Sequence, residues 1–252
     1  MSAPNRLIGS ALERVEDLRL LRGRGQFVAD INRPNQLHAV ILRSPVAHGL
    51  LRGIETDAAL KLDGVHVVLT AHDLGETVPR LPIRLQPLPE LEQFCQPMLA
   101  DEKVRYVGEP MAVVIAESPA IAEDALDLIK IEIDSLPAIT SRDQAEAVET
   151  LLFPEHGSNV SMRWNAVKGD ADVAFETADY TRRETFTVQR HAALFMEPRG
   201  FVAEWDTGAD RLTVWGAAKV AFANRKILAA TLGLDLDQVD MIEGDVGGSF
   251  GS

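Results

Sequence analysis

The apolar run MAVVIA at residues 111–116 constrains the fold of this chain more than any other segment. A short, nearly continuous apolar run is typical of a strand that is buried on both faces. Ser118 and Pro119 follow as an N-cap and a first-turn proline, which predicts a helix. The predicted buried face of that helix carries three residues at helical spacing: Ile121, Ala125 and Leu128. Residues 129–133 predict the next strand, so strand, helix and strand follow one another.

Two further strands are predicted upstream, at residues 36–42 and 65–69, because β-favouring apolar residues dominate both runs. Together with the segment above, they indicate one α/β unit over about residues 25–134. Residues 78–97 carry several prolines and show no periodicity. A loop of that length is expected to be functional or to cover an interface.

The second half of the chain has a different pattern. Partial alternation predicts a half-exposed strand at residues 181–188, and residues 200–205 and 212–215 predict a strand pair around a turn. A helix is predicted over residues 218–232, with Gly233 as its C-terminal stop, and a last strand over residues 238–242. The predicted buried side of the helix carries Val220, Ala223, Ile227, Ala230 and Thr231.

A glycine-dense stretch, GDVGGSFG at residues 244–251, follows the last predicted strand. Glycines let the backbone adopt positive φ and let a ligand approach main-chain amides, which can form a concavity for an anion. By itself the stretch is more typical of an ordinary glycine turn. A dinucleotide-binding reading is disfavoured, because no helix follows the loop to receive a pyrophosphate.

Charge and cysteine content narrow the classes of partner. The net charge of −13 argues against nucleic acid and against an anionic membrane surface. The single cysteine, Cys95, excludes a disulfide or cysteine-based metal cluster within the chain and fits the cytoplasm. No signal peptide and no membrane span are expected. His48 and His156, each without a partner at ligand spacing, are expected to be structural, and the charged residues 8–25 to form a solvated arm that could lie across a partner subunit.

Five short motifs occur in a fixed order along the chain. They are RGRGQF (22–27), LRSP with Ala47 and His48 (42–48), VRYVGEP (104–110), MEPRG (196–200) and DVGGSFG (245–251). Each motif is weak alone, but in this order they resemble the N-terminal part of the molybdenum-binding large subunit of molybdenum hydroxylases. That family includes xanthine dehydrogenase, aldehyde oxidase and aerobic carbon monoxide dehydrogenase. The resemblance extends from Asn5 to the last residue.

The resemblance implies an α+β fold made of two parts. An N-terminal arm (residues 1–19) is expected to precede an α/β hammerhead domain (20–134). A connecting segment (135–165) would then lead to the beginning of the first molybdopterin-binding domain (166–252), itself α+β and incomplete in this sequence.

The resemblance also implies site residues. The loop residues Gly247, Gly248, Ser249, Phe250 and Gly251 would lie against the molybdopterin cofactor, with main-chain contacts from Phe250 and Gly251. Ser249 stands where many members have a third glycine. Lys219 occupies the place of a glutamine that reaches the metal's apical oxo ligand in the family. Either its ammonium takes over that contact, or the side chain faces elsewhere. No catalytic residue and no direct metal ligand is expected in this chain, because the family's general-base glutamate lies downstream.

The implied function is oxidative hydroxylation of an aldehyde, an N-heterocycle or a similar small molecule. The molybdenum–molybdopterin cofactor would be shared with a missing downstream portion of the large subunit, while 2Fe-2S clusters and FAD would reside on an iron–sulfur subunit and a flavin subunit. The chain alone would be inactive. The alternative is a non-catalytic remnant or assembly module that retains the hammerhead fold.

Overall fold

The computed structural model describes residues 7–83 and 88–251, and contacts divide the chain into two units. The central unit is Pro34–Thr187, and the terminal unit joins the residues up to Arg33 with those from Val188 onward. The N-terminal residues therefore belong with the C-terminal sheet.

The described residues contain both strands and helices. The strands are β1 His38–Arg43, β2 Gly49–Glu55, β3 Val65–Thr70, β4 Lys103–Val104, β5 Pro110–Ala116, β6 Lys130–Ser135, β7 Phe201–Asp206, β8 Arg211–Gly216 and β9 Val239–Ile242. The α-helices are α1 Asp17–Leu21, α2 Asp57–Leu60, α3 Pro89–Glu92, α4 Pro119–Leu126, α5 Arg142–Ala147, α6 Ala171–Thr177 and α7 Ala221–Leu232. None of the helices in the described ranges is long and apolar enough to cross a bilayer.

Strand β5 is the centre of the first sheet in the central unit, whose order is β1-β5-β3 with antiparallel pairing on both sides. Met111, Ala112 and Val114 are fully buried. The predicted buried strand is therefore confirmed, and its apolar run is explained by neighbours on both edges and by packing of α4. The second sheet has the order β4-β2-β6.

Helix α4 begins as predicted, because the Ser118 hydroxyl accepts a hydrogen bond from the Ile121 amide at 3.2 Å. Its predicted buried face is only partly correct. Ala122 and Ala125 are buried, whereas Leu128 is 40% exposed. The helix ends at Leu126, so the side chain of Leu128 is no longer carried around to the helical face.

The sequence interpretation missed strand β2. It contains Gly49, Arg52 and Gly53, and its register with β6 shifts between Leu51 and Gly53. A Cβ on Gly49 would lie 2.5 Å from Cγ2 of Ile133, so close approach between the strands requires glycine there. Irregular pairing of this kind leaves no clean alternation in the sequence.

The terminal unit contains the sheet β7-β8-β9, in which β7 and β8 are antiparallel and β9 runs parallel to β8. The predicted hairpin is confirmed, and Asp206 Oδ1 accepts the amides of Gly208 and Ala209 in its turn. Helix α7 connects β8 to β9 along the chain, and its C-cap residue is Gly233, with φ of 67°.

Helix α7 differs from the prediction in its start and in its buried side. It begins at Ala221, after the positive-φ residue Lys219. Ala229 is buried and Leu228 packs on the same core, while Ala230 is exposed. Apolar residues occur around most of this helix, so the sequence alone does not define which side contacts the sheet.

The predicted strand at residues 181–188 is wrong. Residues 178–200 form no strand, and Phe186 and Val188 are 83% and 85% exposed. A strand requires a ladder partner for its N–H and C=O groups. The described residues offer none to this segment.

Candidate functional site

The terminal glycine loop, residues 244–251, follows β9 and is held by two carboxylates. The first is Asp245, within the loop itself. Its Oδ1 and Oδ2 accept hydrogen bonds from the two Nη atoms of Arg19 at 2.5 and 2.6 Å, and Oδ2 also accepts the Gln26 amide at 2.7 Å. The Asp245 amide in turn donates to the Gln26 carbonyl at 3.1 Å. The loop is thus paired with the N-terminal residues in both directions.

The second carboxylate is Glu197. Its Oε2 accepts the Gly247 amide at 2.6 Å, and its Oε1 accepts the Val28 amide at 3.1 Å. A Cβ on Gly247 would lie 2.3 Å from Cβ of Glu197, so only glycine fits at this position. The Gly247 N–H is already hydrogen-bonded to Glu197, and this bond helps to hold the loop in place.

The end of the loop is open. Gly248, Phe250 and Gly251 have φ of 113°, 47° and 90°, and Phe250 is 77% exposed. A Cβ on Gly251 would meet no atom within 4 Å. Positive φ is unfavourable for phenylalanine, and such conformations concentrate at functional sites. The main chain at this end is accessible to a ligand that approaches closely.

Lys219 lies against the same loop. Its Nζ donates to the Gly251 carbonyl at 2.8 Å, although 32 residues separate the two. The Lys219 backbone has φ of 55°, and it is held there by Glu243, whose Oε2 accepts the amides of Ala218 and Lys219 at 2.5 and 2.7 Å. The Lys219 side chain is thus directed to the terminal glycine loop, and its contact with an oxo ligand stays a prediction.

The carboxylates that support the loop were not predicted. Asp245 and Glu197 lie inside motifs that the sequence analysis singled out, but nothing local reveals which amides they accept. Arg19 was assigned to a solvated arm.

The carboxyl of Asp245 has its pKa lowered to about 2, chiefly by its hydrogen bonds from Arg19 and then by the Gln26 amide. A carboxyl whose pKa is depressed in the folded state stabilises that state above its unfolded pKa, and the contribution is lost as the pH falls through the folded pKa. We therefore expect this contribution to be complete above about pH 4 and to disappear between about pH 4 and pH 2.

The measurement is urea unfolding of the unmodified chain and Asp245→Asn over pH 2–6. The difference between their free energies of unfolding should shrink as the pH falls. Asp124→Asn, an exposed position on α4, is the matched control and should show no such trend. A constant difference for Asp245→Asn down to pH 2 would contradict the expectation.

A separate buried polar group lies in the central unit, within the predicted VRYVGEP motif. Glu109 is 1% exposed, and one carboxylate oxygen accepts the Arg105 amide. The Arg105 guanidinium lies 4.7 Å from the centre of the Phe153 ring and 4.0 Å from the other Glu109 oxygen. Burial raises the pKa of Glu109 and lowers the pKa of Arg105.

His48 and His156 each lie within hydrogen-bond distance of a backbone carbonyl. Nδ1 of buried His48 is 2.8 Å from the Pro137 carbonyl, and Nε2 of His156 is 2.9 Å from the Gln93 carbonyl. Cys95 forms no disulfide. Across residues 7–83 and 88–251, no group of three or more His, Cys, Asp or Glu side chains is arranged to hold a metal ion.

Two family models match this chain. The aldehyde oxidase and xanthine dehydrogenase a/b hammerhead domain matches residues 22–137, and the molybdopterin cofactor-binding domain matches residues 152–252. The first range begins before the central unit and covers that unit up to residue 137, and the second range includes the terminal glycine loop.

Similar proteins are much longer than this chain. The large subunit of nicotine 6-hydroxylase from Paenarthrobacter nicotinovorans is 38% identical over 97% of this chain and 30% of its own length. The large chain of carbon monoxide dehydrogenase from Hydrogenophaga pseudoflava is 32% identical, with shares of 94% and 30%. The crystal structure of quinoline 2-oxidoreductase from Pseudomonas putida 86 aligns at a TM-score of 0.84 and 33% identity, over 96% of this chain and 31% of that one. The chain thus spans less than a third of these relatives.

Proposed function

Because the chain belongs to the molybdenum hydroxylases, as a portion of their large subunit, we propose that it supplies one wall of a molybdopterin site through the terminal glycine loop. The residues that would hold the cofactor are Gly248, Ser249, Phe250 and Gly251 through the main chain, and Lys219 through its ammonium. Gly247 contributes by anchoring the loop to Glu197.

The observation that carries this proposal is the accessible main chain at the end of the loop, whose earlier residues are held by Glu197 and Arg19. No atom lies within 4 Å of the position that a Cβ on Gly251 would take, so a polar, anionic group can approach that side of the residue closely. The Lys219 ammonium lies at the same end of the loop and adds a cationic donor. Both features match the donor groups that a molybdopterin, with its phosphate, pterin and dithiolene, requires.

When bound, the cofactor supplies two-electron redox chemistry, by which an oxygen atom from water is inserted into an aldehyde or an N-heterocycle. The part of this chain is to bind and orient. The carboxylates nearest the loop, Asp245, Glu197 and Glu243, each accept backbone N–H groups. They are therefore committed to holding the main chain, and the general base is expected from the remaining part of the large subunit.

The remaining part of the large subunit is also the proposed cover for the exposed segment at residues 178–200. Its apolar side chains are strongly exposed, among them Phe186, Leu194 and Met196 at 83%, 88% and 94%. The relatives are large subunits, and one is named as subunit gamma of a dehydrogenase complex. We propose that iron–sulfur and flavin subunits accept the electrons from this protein, in the cytoplasm, and that the substrate is a small molecule.

The test compares the chain alone with the chain co-produced with the rest of its large subunit and the two electron-transfer subunits, in a host that makes molybdopterin. We expect close to one molybdenum atom per assembled complex and hydroxylation of an aldehyde or N-heterocycle panel. The chain alone should retain little molybdenum and show no turnover. Turnover by the lone chain would refute the proposal, and an assembled complex without molybdenum would support the non-catalytic assembly role instead.

A further inference from the structure

We propose that Glu197 and Asp245 are positioning residues that fasten the terminal glycine loop to residues 17–31. These residues are called the arm from here on, and their range differs from that of the N-terminal arm (residues 1–19) expected from the sequence. In this arrangement the arm is a strap that orders the loop. The consequence for cofactor loading rests on the function proposed above, whereas the ordering of the loop does not.

The first argument is the origin of the donors. The arm supplies the Arg19 guanidinium, the Gln26 amide and the Val28 amide. The loop and its neighbour supply the two acceptor side chains, and 226 residues separate Arg19 from Asp245. The close approach extends to the main chain, since a Cβ on Gly244 would lie 3.0 Å from the Gln26 carbonyl oxygen.

Helix α1, which opens the arm, buries little apolar surface. Helix α1 contains no buried residue, and Leu18 and Leu21 on it are 57% and 85% exposed. Apolar burial, the usual source of order for a short helix, is therefore small here. The hydrogen bonds from the arm to Asp245 and Glu197 connect the arm directly to the loop, so the order of the arm and that of the loop are coupled.

The third argument is the chemistry of the acceptors. Each oxygen of Glu197 receives a different amide, one from the arm and one from the loop. Each oxygen of Asp245 likewise receives N–H groups. Glutamine or asparagine has the same size but turns one acceptor into an N–H donor, which would face another donor. Packing would tolerate such a substitution, whereas a bridge between two sets of donors would not.

The experiment measures amide hydrogen exchange in peptides from the arm and from the loop, in Glu197→Gln, Asp245→Asn and Arg19→Gln. Because each substitution removes a charge-assisted hydrogen bond between the two segments, exchange in both peptides should become about tenfold faster or more. Arg19→Gln is the sharpest variant, since it changes the arm and must accelerate exchange in the loop. Arg22→Gln, at an exposed arginine of the same arm, and Glu176→Gln on α6 are the matched controls.

The same variants are assembled with the remaining subunits, and molybdenum per complex is measured beside exchange. The expected result is faster exchange confined to arm and loop, together with lower molybdenum content. Unchanged loop exchange in Arg19→Gln, or faster exchange spread evenly over the whole chain, would overturn the strap. An unmodified complex that lacks molybdenum would instead overturn the proposed function, while local acceleration by Arg19→Gln would still support the strap.

Discussion

Gly247→Ala is expected to lower the molybdenum content of the assembled complex at least about tenfold, since overpacking of about 1–3 kcal/mol adds to the loss of an anchoring hydrogen bond. The new Cβ would lie 2.3 Å from Cβ of Glu197 and 3.1 Å from its backbone nitrogen. Backbone atoms cannot move aside as the end of a flexible side chain can. The loop must therefore shift, and the shift breaks the bond from the Gly247 amide to Glu197.

The control for this prediction is Gly53→Ala on β2, where a Cβ would meet no atom within 4 Å. That variant should fold and load molybdenum like the unmodified chain. Molybdenum and pterin are measured per assembled complex, and loop order is followed by hydrogen exchange. A Gly247→Ala complex with full molybdenum content would show that the loop does not need its observed position, and the proposed site would then be wrong.

Glu109→Ala is expected to reduce the free energy of unfolding by about 1–3 kcal/mol, the usual effect of leaving a buried polar group without its hydrogen-bond partner. Glu109 is 1% exposed and accepts the Arg105 amide. Alanine leaves that amide without its acceptor and leaves the half-buried Arg105 charge without the nearby carboxylate. Glu109→Gln keeps the volume and one acceptor, so its loss should be smaller. Urea unfolding at neutral pH measures both variants.

The raised pKa of Glu109 adds a pH dependence with a definite sign. Burial is the main cause, and the Arg105 amide and charge oppose it only in part. A carboxyl whose folded pKa lies above its usual value stabilises the folded state at low pH, and this contribution is lost as the pH rises through the folded pKa.

The difference in the free energy of unfolding between the unmodified chain and Glu109→Gln should therefore become less favourable to glutamate as the pH rises above 4.5. Glu176→Gln, at an exposed position, serves as the control for the pH series. A difference that increases in favour of glutamate with rising pH would contradict the assignment.

Local patterns in the sequence determined several elements correctly. The run at residues 111–116 forms the central strand β5, Ser118 caps α4, and Gly233 ends α7. Each of these elements depends on interactions within a few residues or on an apolar run that one sheet can bury. Such signals can be recognised from neighbouring residues in the sequence. In the terminal loop, Gly248 and Gly251 adopt the positive φ that the sequence predicted to be available there.

Other features were decided only by the tertiary structure. Strand β2 exists because β4 and β6 pair with it, and residues 178–200 form no strand because the described residues offer them no partner. Asp245 accepts hydrogen bonds from Arg19, which is 226 residues away in the sequence, and Glu197 accepts the hydrogen bond of the Gly247 amide. The sequence by itself thus determined the elements whose signals lie in neighbouring residues, such as β5, the start of α4 and the end of α7. The tertiary structure decided which N–H groups those segments satisfy for one another, because a hydrogen bond between distant segments leaves no periodic trace in either of them.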